Sequence, residues 1–199
     1  MTVSLVLASG SAARRMLLIN AGLQFAVEGA QINEREVEEA LPPTQRGPED
    51  VALHLAIAKA RDVSERHPDA IVIGCDQTMS LGERIFHKAK DVSEAREILL
   101  SLRAAAHHLN SAVCLVRNDE VLWSHVGVAS MHVRAFSEQF LDAYLDQAGD
   151  KILSSVGCYQ LEGEGVQLFD KIEGDYFTVL GLPLLPLLDA LRKLGVNHE

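Results

Sequence analysis

The stretch Ile71-Val72-Ile73-Gly74-Cys75-Asp76-Gln77-Thr78 sets the reading of the whole chain. A β-branched apolar run without polar alternation is the pattern of a strand buried on both faces. The run closes on Gly74, and an acid follows at once. A strand ending there delivers one carboxylate to the rim of a sheet, where open α/β folds place their ligands. Asp76 is therefore the first candidate for chemistry. Asp also opens turns, so this stretch alone leaves a purely structural role open.

The rest of the chain is consistent with such a sheet. Its 199 residues suit one domain, or two intimately packed lobes. With 48% hydrophobic and 23% charged residues it has the profile of a globular protein able to bury a sizeable core. The net charge of −10 disfavours duplex nucleic acid and anionic membrane surfaces as partners. A small anionic substrate stays open, because a local basic pocket is invisible to net charge. Cys75, Cys114 and Cys158 are an odd, dispersed set with no CxxC. They read as buried thiols in a reducing compartment. Residues 1–8 lack a basic n-region and read as a first strand rather than a signal peptide. No apolar stretch approaches the length of a membrane span, so the cytoplasm is the expected compartment.

Strand and helix patterns alternate outward from the central run. Val3–Ala8 is an apolar strand, Ser9-Gly10-Ser11 a turn, and Ser11 the N-cap of a helix to Ala21 with Gly22 after its end. A strand, a Ser/Gly turn and a helix start form a natural phosphate seat. Arg14 and Arg15 in its first turns oppose the helix dipole, a local conflict that marks either function or two solvated side chains. Phe25–Val27 reads as a strand, and residues 31–39 as a polar, acidic segment broken by Pro42-Pro43. A helix runs from Pro48 to about Arg66. Lys59 falls beside its apolar face, where it can snorkel or reach a cleft. Met79–Leu81 and Arg84–Phe86 form a hairpin, and Ser93 caps a helix to Leu102. Residues 107–116 and 121–134 are strands, Ser137 caps a helix 138–147, residues 166–172 form a strand, and residues 184–194 a last apolar helix. The Gly-rich run 157–165 is not a dinucleotide fingerprint, since no helix follows it; plain turns and close approach to a ligand both remain open.

Several chemistries are absent from the sequence. There is no GxxxxGK[ST] loop and no GxSxG elbow. No second Asp follows Asp76 two residues on, and no cysteine has an Arg six positions later. What remains is scattered cations and loop-edge acids. Phosphoryl transfer uses that mixture: cations hold anionic oxygens, and carboxylates hold a divalent metal. Hard Mg²⁺ or Mn²⁺ suits such ligands.

Residues 7–18, Leu-Ala-Ser-Gly-Ser-Ala-Ala-Arg-Arg-Met-Leu-Leu, resemble the opening signature of the Maf family of nucleoside triphosphate pyrophosphatases. Ile73-Gly74-Cys75-Asp76-Gln77 resembles its central signature. Residues 157–165, Ile172-Glu173-Gly174-Asp175-Tyr176 and Val179-Leu180-Gly181-Leu182-Pro183 resemble its C-terminal ones. The blocks occur in order and span nearly the whole chain. The resemblance implies a single Maf-like domain over residues 1–199, an α/β fold of two lobes around an elongated mixed β-sheet with a central cleft, related to the inosine triphosphate pyrophosphatases. It implies metal-dependent hydrolysis of a nucleoside triphosphate to the monophosphate and pyrophosphate, clearing non-standard nucleotides, with a link to septum formation and cell-division arrest. A homodimer is common in the family. A different class of function, a nucleotide-binding regulator of septum formation that does not hydrolyse, would show tight binding without turnover.

Carried over by position, the resemblance makes Asp76 the proton acceptor that activates water, with the divalent metal (Mg²⁺ or Mn²⁺) held by Asp76 and Glu34. Glu34 is placed in the loop after the second strand. Ser9, Arg14 and Arg15 fall at the triphosphate, Lys59 and Lys88 neutralise the phosphates, and Gln160 faces the base. The prolines usual in two of the signatures are here Ala12 and Ala89, which changes loop stiffness rather than chemistry. Substrate choice in the family divides at three positions, here Ala13, Gln77 and Gln160. Gln77 resembles the branch acting on 7-methyl-GTP. Gln160 resembles the branch acting on dTTP and UTP, and Ala13 resembles neither.

Overall fold

Apolar strands and amphipathic helices alternate along the chain, and the computed structural model, which describes residues 4–196, shows how they layer. In order they are β1 (Leu5–Ala8), α1 (Ala12–Asn20), β2 (Ala26–Val27), α2 (Glu34–Ala40), α3 (Pro48–Ser64), β3 (Ile71–Leu81), β4 (Arg84–Phe86), α4 (Val92–Leu102), β5 (Ala106–Arg117), β6 (Glu120–Val133), α5 (Glu138–Ala148), β7 (Phe169–Glu173), α6 (Tyr176–Val179) and α7 (Leu184–Lys193). Val3, expected in the first strand, lies outside the described residues. The strands form a mixed sheet in the order β2-β1-β3-β5-β6-β7, with β4 paired to β3. β1 runs parallel to β2 and β3, whereas β3–β4 and β6–β7 are antiparallel. The α/β class and the mixed sheet agree with the expectation from sequence.

The chain divides into two compact units. One comprises residues 1–77, 110–127 and 175–199; the other comprises 78–109 and 128–174. In the first unit, strand alternation sends β1 and β3 side chains to two separate cores. Leu5, Leu7, Ile71, Ile73 and Cys75 pack with Leu17 and Leu18 of α1 and with Leu184, Leu187 and Leu191 of α7. Val6, Ala8 and Val72 pack with Ala52, Ala56, Ala60 and Val63 of α3. The alanines recur every fourth residue, so α3 presents a smooth face that lies close on the sheet. Gly74 completes that approach: a Cβ there would stand 2.2 Å from the Ala56 carbonyl oxygen and 2.6 Å from the Ala60 Cβ.

In the second unit, Arg96 of α4 donates to Glu138 (2.9 Å) and Asp142 (3.2 Å) of α5 and ties the two helices together. The buried rings of His107 and Tyr159 cluster with half-buried Phe169, Tyr159 standing edge-on to Phe169 at 4.8 Å. Gly157 and Gly165 serve this packing. A Cβ at Gly157 would meet the Tyr159 ring at 2.3 Å, and one at Gly165 would meet the Gln160 carbonyl oxygen at 2.6 Å.

Several local expectations change. The strand expected over 166–172 begins only at Phe169, because Glu164–Leu168 coil into a 3-10 helix. β3 does not stop at Cys75 but continues to Leu81, because its antiparallel pairing with β4 takes over past the end of β1. The segment holding Glu34 is a helix, capped by Asn33 accepting from the Glu36 amide, with two glutamates in its first turn. α4 is capped by Asp91 rather than Ser93; Asp91 accepts from the Glu94 amide and Glu94 accepts from the Lys90 amide, a reciprocal arrangement. The first hairpin and the Ser11 and Ser137 caps form as expected. Asn118 and Asp119, both at positive φ, make the tight turn between β5 and β6. All three cysteines are free and buried.

Candidate active site

Asp76 is the sixth residue of β3, just past the last β1–β3 partner pair, Ala8 and Gly74. It thus stands where the parallel neighbour ends while its own strand continues. It shares the sheet face of Val72 and Gly74, the face covered by α3. Gly74 draws α3 in, and Lys59, one residue before Ala60, reaches across to the carboxylate. Lys59 Nζ donates to Asp76 Oδ1 at 2.5 Å and lies 2.6 Å from Glu34 Oε1. The Lys59 and Asp76 side chains are 14% and 11% exposed, whereas that of Glu34 is 56% exposed. One ammonium therefore bridges two carboxylates at the edge of solvent. Burial alone pulls the Lys59 pKa down, but Asp76 and then Glu34 more than offset it, so it is raised and the ammonium stays charged.

Gln77, the next residue, faces the other side of the sheet. Its amide nitrogen donates to Ser111 Oγ (2.8 Å) and to the Thr178 and Val179 carbonyls (both 3.2 Å). Ser111 Oγ also donates to the Thr178 carbonyl at 2.7 Å. Gln77 thereby links β3 and β5 to α6, whose N-terminus is capped by Asp175. Sequence reasoning missed Ser111 and Thr178. The only signal for Ser111 was a polar residue inside an apolar strand.

The two arginines of α1 part company. Arg14 donates through Nε to the Gly181 carbonyl (2.8 Å) and through Nη1 to the Cys75 carbonyl (3.0 Å) and Ser9 Oγ (3.3 Å). It ties the first turn of α1 to the β3 backbone immediately before Asp76 and to the turn before α7. Gly181 accepts this approach at φ +89°. Arg15, one residue on, lines a shallow groove with Ile19, Leu23, Gln24, Phe25 and Val27. The structure therefore brings Ser9, Arg14, Glu34, Lys59 and Asp76 around the end of β1 and turns Arg15 elsewhere. Ala13 is half-buried on α1. Lys88 and Gln160 belong to the second unit: Lys88 is exposed after β4, and Gln160 is exposed and donates to Ser154 Oγ at 3.3 Å.

Among the described residues no three His, Cys, Asp or Glu side chains gather as a ready metal cage. Two carboxylate oxygens do converge on one point, and a cation already sits there. Two hard oxygen donors suit Mg²⁺ or Mn²⁺, which take one or two carboxylates and complete their shell with water and substrate phosphate. The residues present fit such an ion. They do not support thiolate chemistry, because burial pushes the Cys75 and Cys158 thiols up to about 11. No helix among the described residues is long and apolar enough to cross a membrane.

A mid-strand carboxylate at the end of its parallel neighbour, a helix N-terminus and a half-buried lysine joined this way are found on a chain whose residues 4–194 match the Maf-like protein family, and the chain belongs to that family. Its relatives include the 7-methyl-GTP pyrophosphatase of Rhizobium meliloti (strain 1021), 59% identical over 96% of both chains. That of Rhizobium etli is 57% identical over 98% of both, and that of Brucella abortus biovar 1 is 55% identical over 97% of both. A solved structure of a HAM1 protein from Coxiella burnetii overlays with a TM-score of 0.44 at 15% identity, over 68% of this chain and 75% of that one.

Proposed function

We propose that this chain is a nucleoside triphosphate pyrophosphatase that hydrolyses 7-methyl-GTP to 7-methyl-GMP and pyrophosphate. The observation that carries the reaction is the shared ammonium of Lys59 between Glu34 and Asp76. It identifies a place where two carboxylates and a cation already gather at the edge of solvent. The base is supported by 7-methyl-GTP pyrophosphatase relatives at 59% and 57% identity and by Gln77, which resembles the branch acting on 7-methyl-GTP.

Asp76 accepts the proton of the water that attacks the α-phosphorus, and the bond from that phosphorus to the bridging oxygen of the β-phosphate breaks. Glu34 and Asp76 would hold the divalent ion. When bound, such an ion polarises phosphoryl oxygens and lowers the pKa of water. Lys59 supplies a charge that can turn from Asp76 to a phosphate oxygen. Ser9 and the unpaired amides at the start of α1 favour the negative phosphate chain. Arg14 fixes the backbone that carries Asp76 and so keeps the base in position. Lys88 at the phosphates and Gln160 at the base rest on family position alone, as does Arg15.

The test is a panel of standard and N7-methylated triphosphates, assayed with Mg²⁺ and Mn²⁺ for pyrophosphate and monophosphate together. The account expects 7-methyl-GTP to give the highest kcat/KM, with equimolar pyrophosphate and 7-methyl-GMP. Release of inorganic phosphate instead, or a pyrimidine triphosphate leading the panel, would contradict it.

A further inference from the structure

The Lys59 ammonium stands at the point where the two carboxylates proposed as metal ligands converge, 2.5 Å from Asp76 and 2.6 Å from Glu34. A divalent ion bound to the same two oxygens cannot share that point with it. Two further facts decide how the competition runs. Lys59 and Asp76 are largely shielded from water, where placing a doubly charged ion beside an ammonium is costly. The body of α3 cannot withdraw, because Ala56 and Ala60 are seated on Gly74. The four-carbon stem of Lys59 can move while α3 stays in place, and it carries a compact charge that needs another anion as its destination. A nucleoside triphosphate brings that anion.

We propose that Lys59 is an internal counter-ion that keeps the metal site closed until nucleotide arrives, so that this chain binds metal alone poorly and binds metal and nucleotide as a coupled pair. This rests on the reading that Glu34 and Asp76 are the metal's protein ligands. In the resting protein the Lys59 ammonium pairs with both acids and occupies the point between them. With nucleotide present it transfers to a phosphate oxygen, and the vacated oxygens of Glu34 and Asp76 take the ion. By linkage, metal and nucleotide each raise the other's affinity by the same factor. Lys59 carries that coupling without touching the reacting bond.

The experiment is Mn²⁺ binding followed by the electron paramagnetic resonance of the free aqua ion, with no turnover involved. Without nucleotide, Lys59→Met leaves Glu34 and Asp76 facing each other with no cation, and its Mn²⁺ affinity should exceed that of wild type by roughly tenfold or more. Adding Asp76→Asn to that variant should remove the gain. If the Met variant does not melt cooperatively, Lys59→Gln replaces it. A folded Lys59 variant that binds Mn²⁺ no more tightly than wild type overturns the inference. The metal reading is judged separately, on protein-bound Mn²⁺ in the presence of the α,β-methylene analogue of GTP. Mn²⁺ held more tightly by wild type than by Asp76→Asn leaves that reading standing; equal binding by the two, or binding by neither, removes it together with the inference.

Discussion

Gly74 lies directly under Ala56: a methyl group on the glycine would stand 2.2 Å from the Ala56 carbonyl oxygen. That absence of a side chain lets α3 rest on β3 and brings Lys59 within 2.5 Å of Asp76, two residues along the same strand face. Packing and chemistry therefore share one cause. Gly74→Ala must push a helix backbone away from the sheet, since no flexible side chain is available to yield. The expected loss is about 1–3 kcal/mol of unfolding free energy in denaturant titration, accompanied by reduced kcat. Wild-type stability with wild-type turnover would show that the close approach does not set the site.

Arg14 should behave as a clamp rather than as a simple charge. Its acceptors are two carbonyls and a hydroxyl drawn from three separate segments. A lysine keeps the charge but cannot present a planar fork to them. Arg14→Ala is expected to destabilise by about 2 kcal/mol, and Arg14→Lys to recover less than half of that. Equal melting curves for Arg14→Lys and wild type would remove the clamp from the account.

His107 predicts an acid limit to stability. Its ring is fully buried, with Nε2 2.7 Å from the Tyr159 hydroxyl, and Nδ1 has no partner. Burial, reinforced by the neighbouring His108 and His132, pulls its pKa from 6.5 down to about 4. The sign follows from proton counting. Between pH 6.5 and 4 the unfolded chain binds a proton at this position that the folded chain refuses, so stability falls as pH falls. Above pH 6.5 the group contributes no such loss. The full effect is about 3 kcal/mol at pH 4. Comparing unfolding free energies of wild type and His107→Gln from pH 7 to 4 checks it; parallel curves would refute the assignment.

Gln77 and Asp76 are consecutive yet occupy opposite faces of β3, one engaged with Ser111 and α6, the other with Lys59. Altering Gln77 should therefore move substrate preference without disturbing the ion pair at Asp76. Gln77→Thr, which shortens the side chain and removes the amide donor, is expected to lower kcat/KM for 7-methyl-GTP relative to UTP by roughly tenfold. An unchanged ratio would take Gln77 out of substrate selection.

How far these features were legible in sequence differs by element. Caps and short turns were readable because their signals are local: Ser11, Ser137 and the Gly82-Glu83 hairpin act within a few residues. The Asp91 cap was equally local, but Ser93 two residues later competed for the same reading; Glu94 at the third helical position was the cue that distinguishes them. α2 escaped because it buries none of its residues, so no apolar period announced it. The true length of β3 escaped because polar residues 76–78 interrupt the apolar run while β4 supplies the missing pairing. At the site, Asp76 stood out as an acid after a buried strand. The role of Lys59 did not, because it depends on Gly74 meeting Ala56, a contact between segments 18 residues apart. The parting of Arg14 and Arg15 likewise needed three-dimensional partners that no spacing reveals.

The central claim is that the Asp76 carboxylate takes the proton from the attacking water. Asp76→Asn keeps the shape and a hydrogen-bond acceptor for Lys59 but removes the basicity. Purified Asp76→Asn should still bind the α,β-methylene analogue of GTP, while pyrophosphate release from 7-methyl-GTP with Mg²⁺ or Mn²⁺ falls by roughly 10²–10⁴-fold. Turnover within a few-fold of wild type would contradict the account.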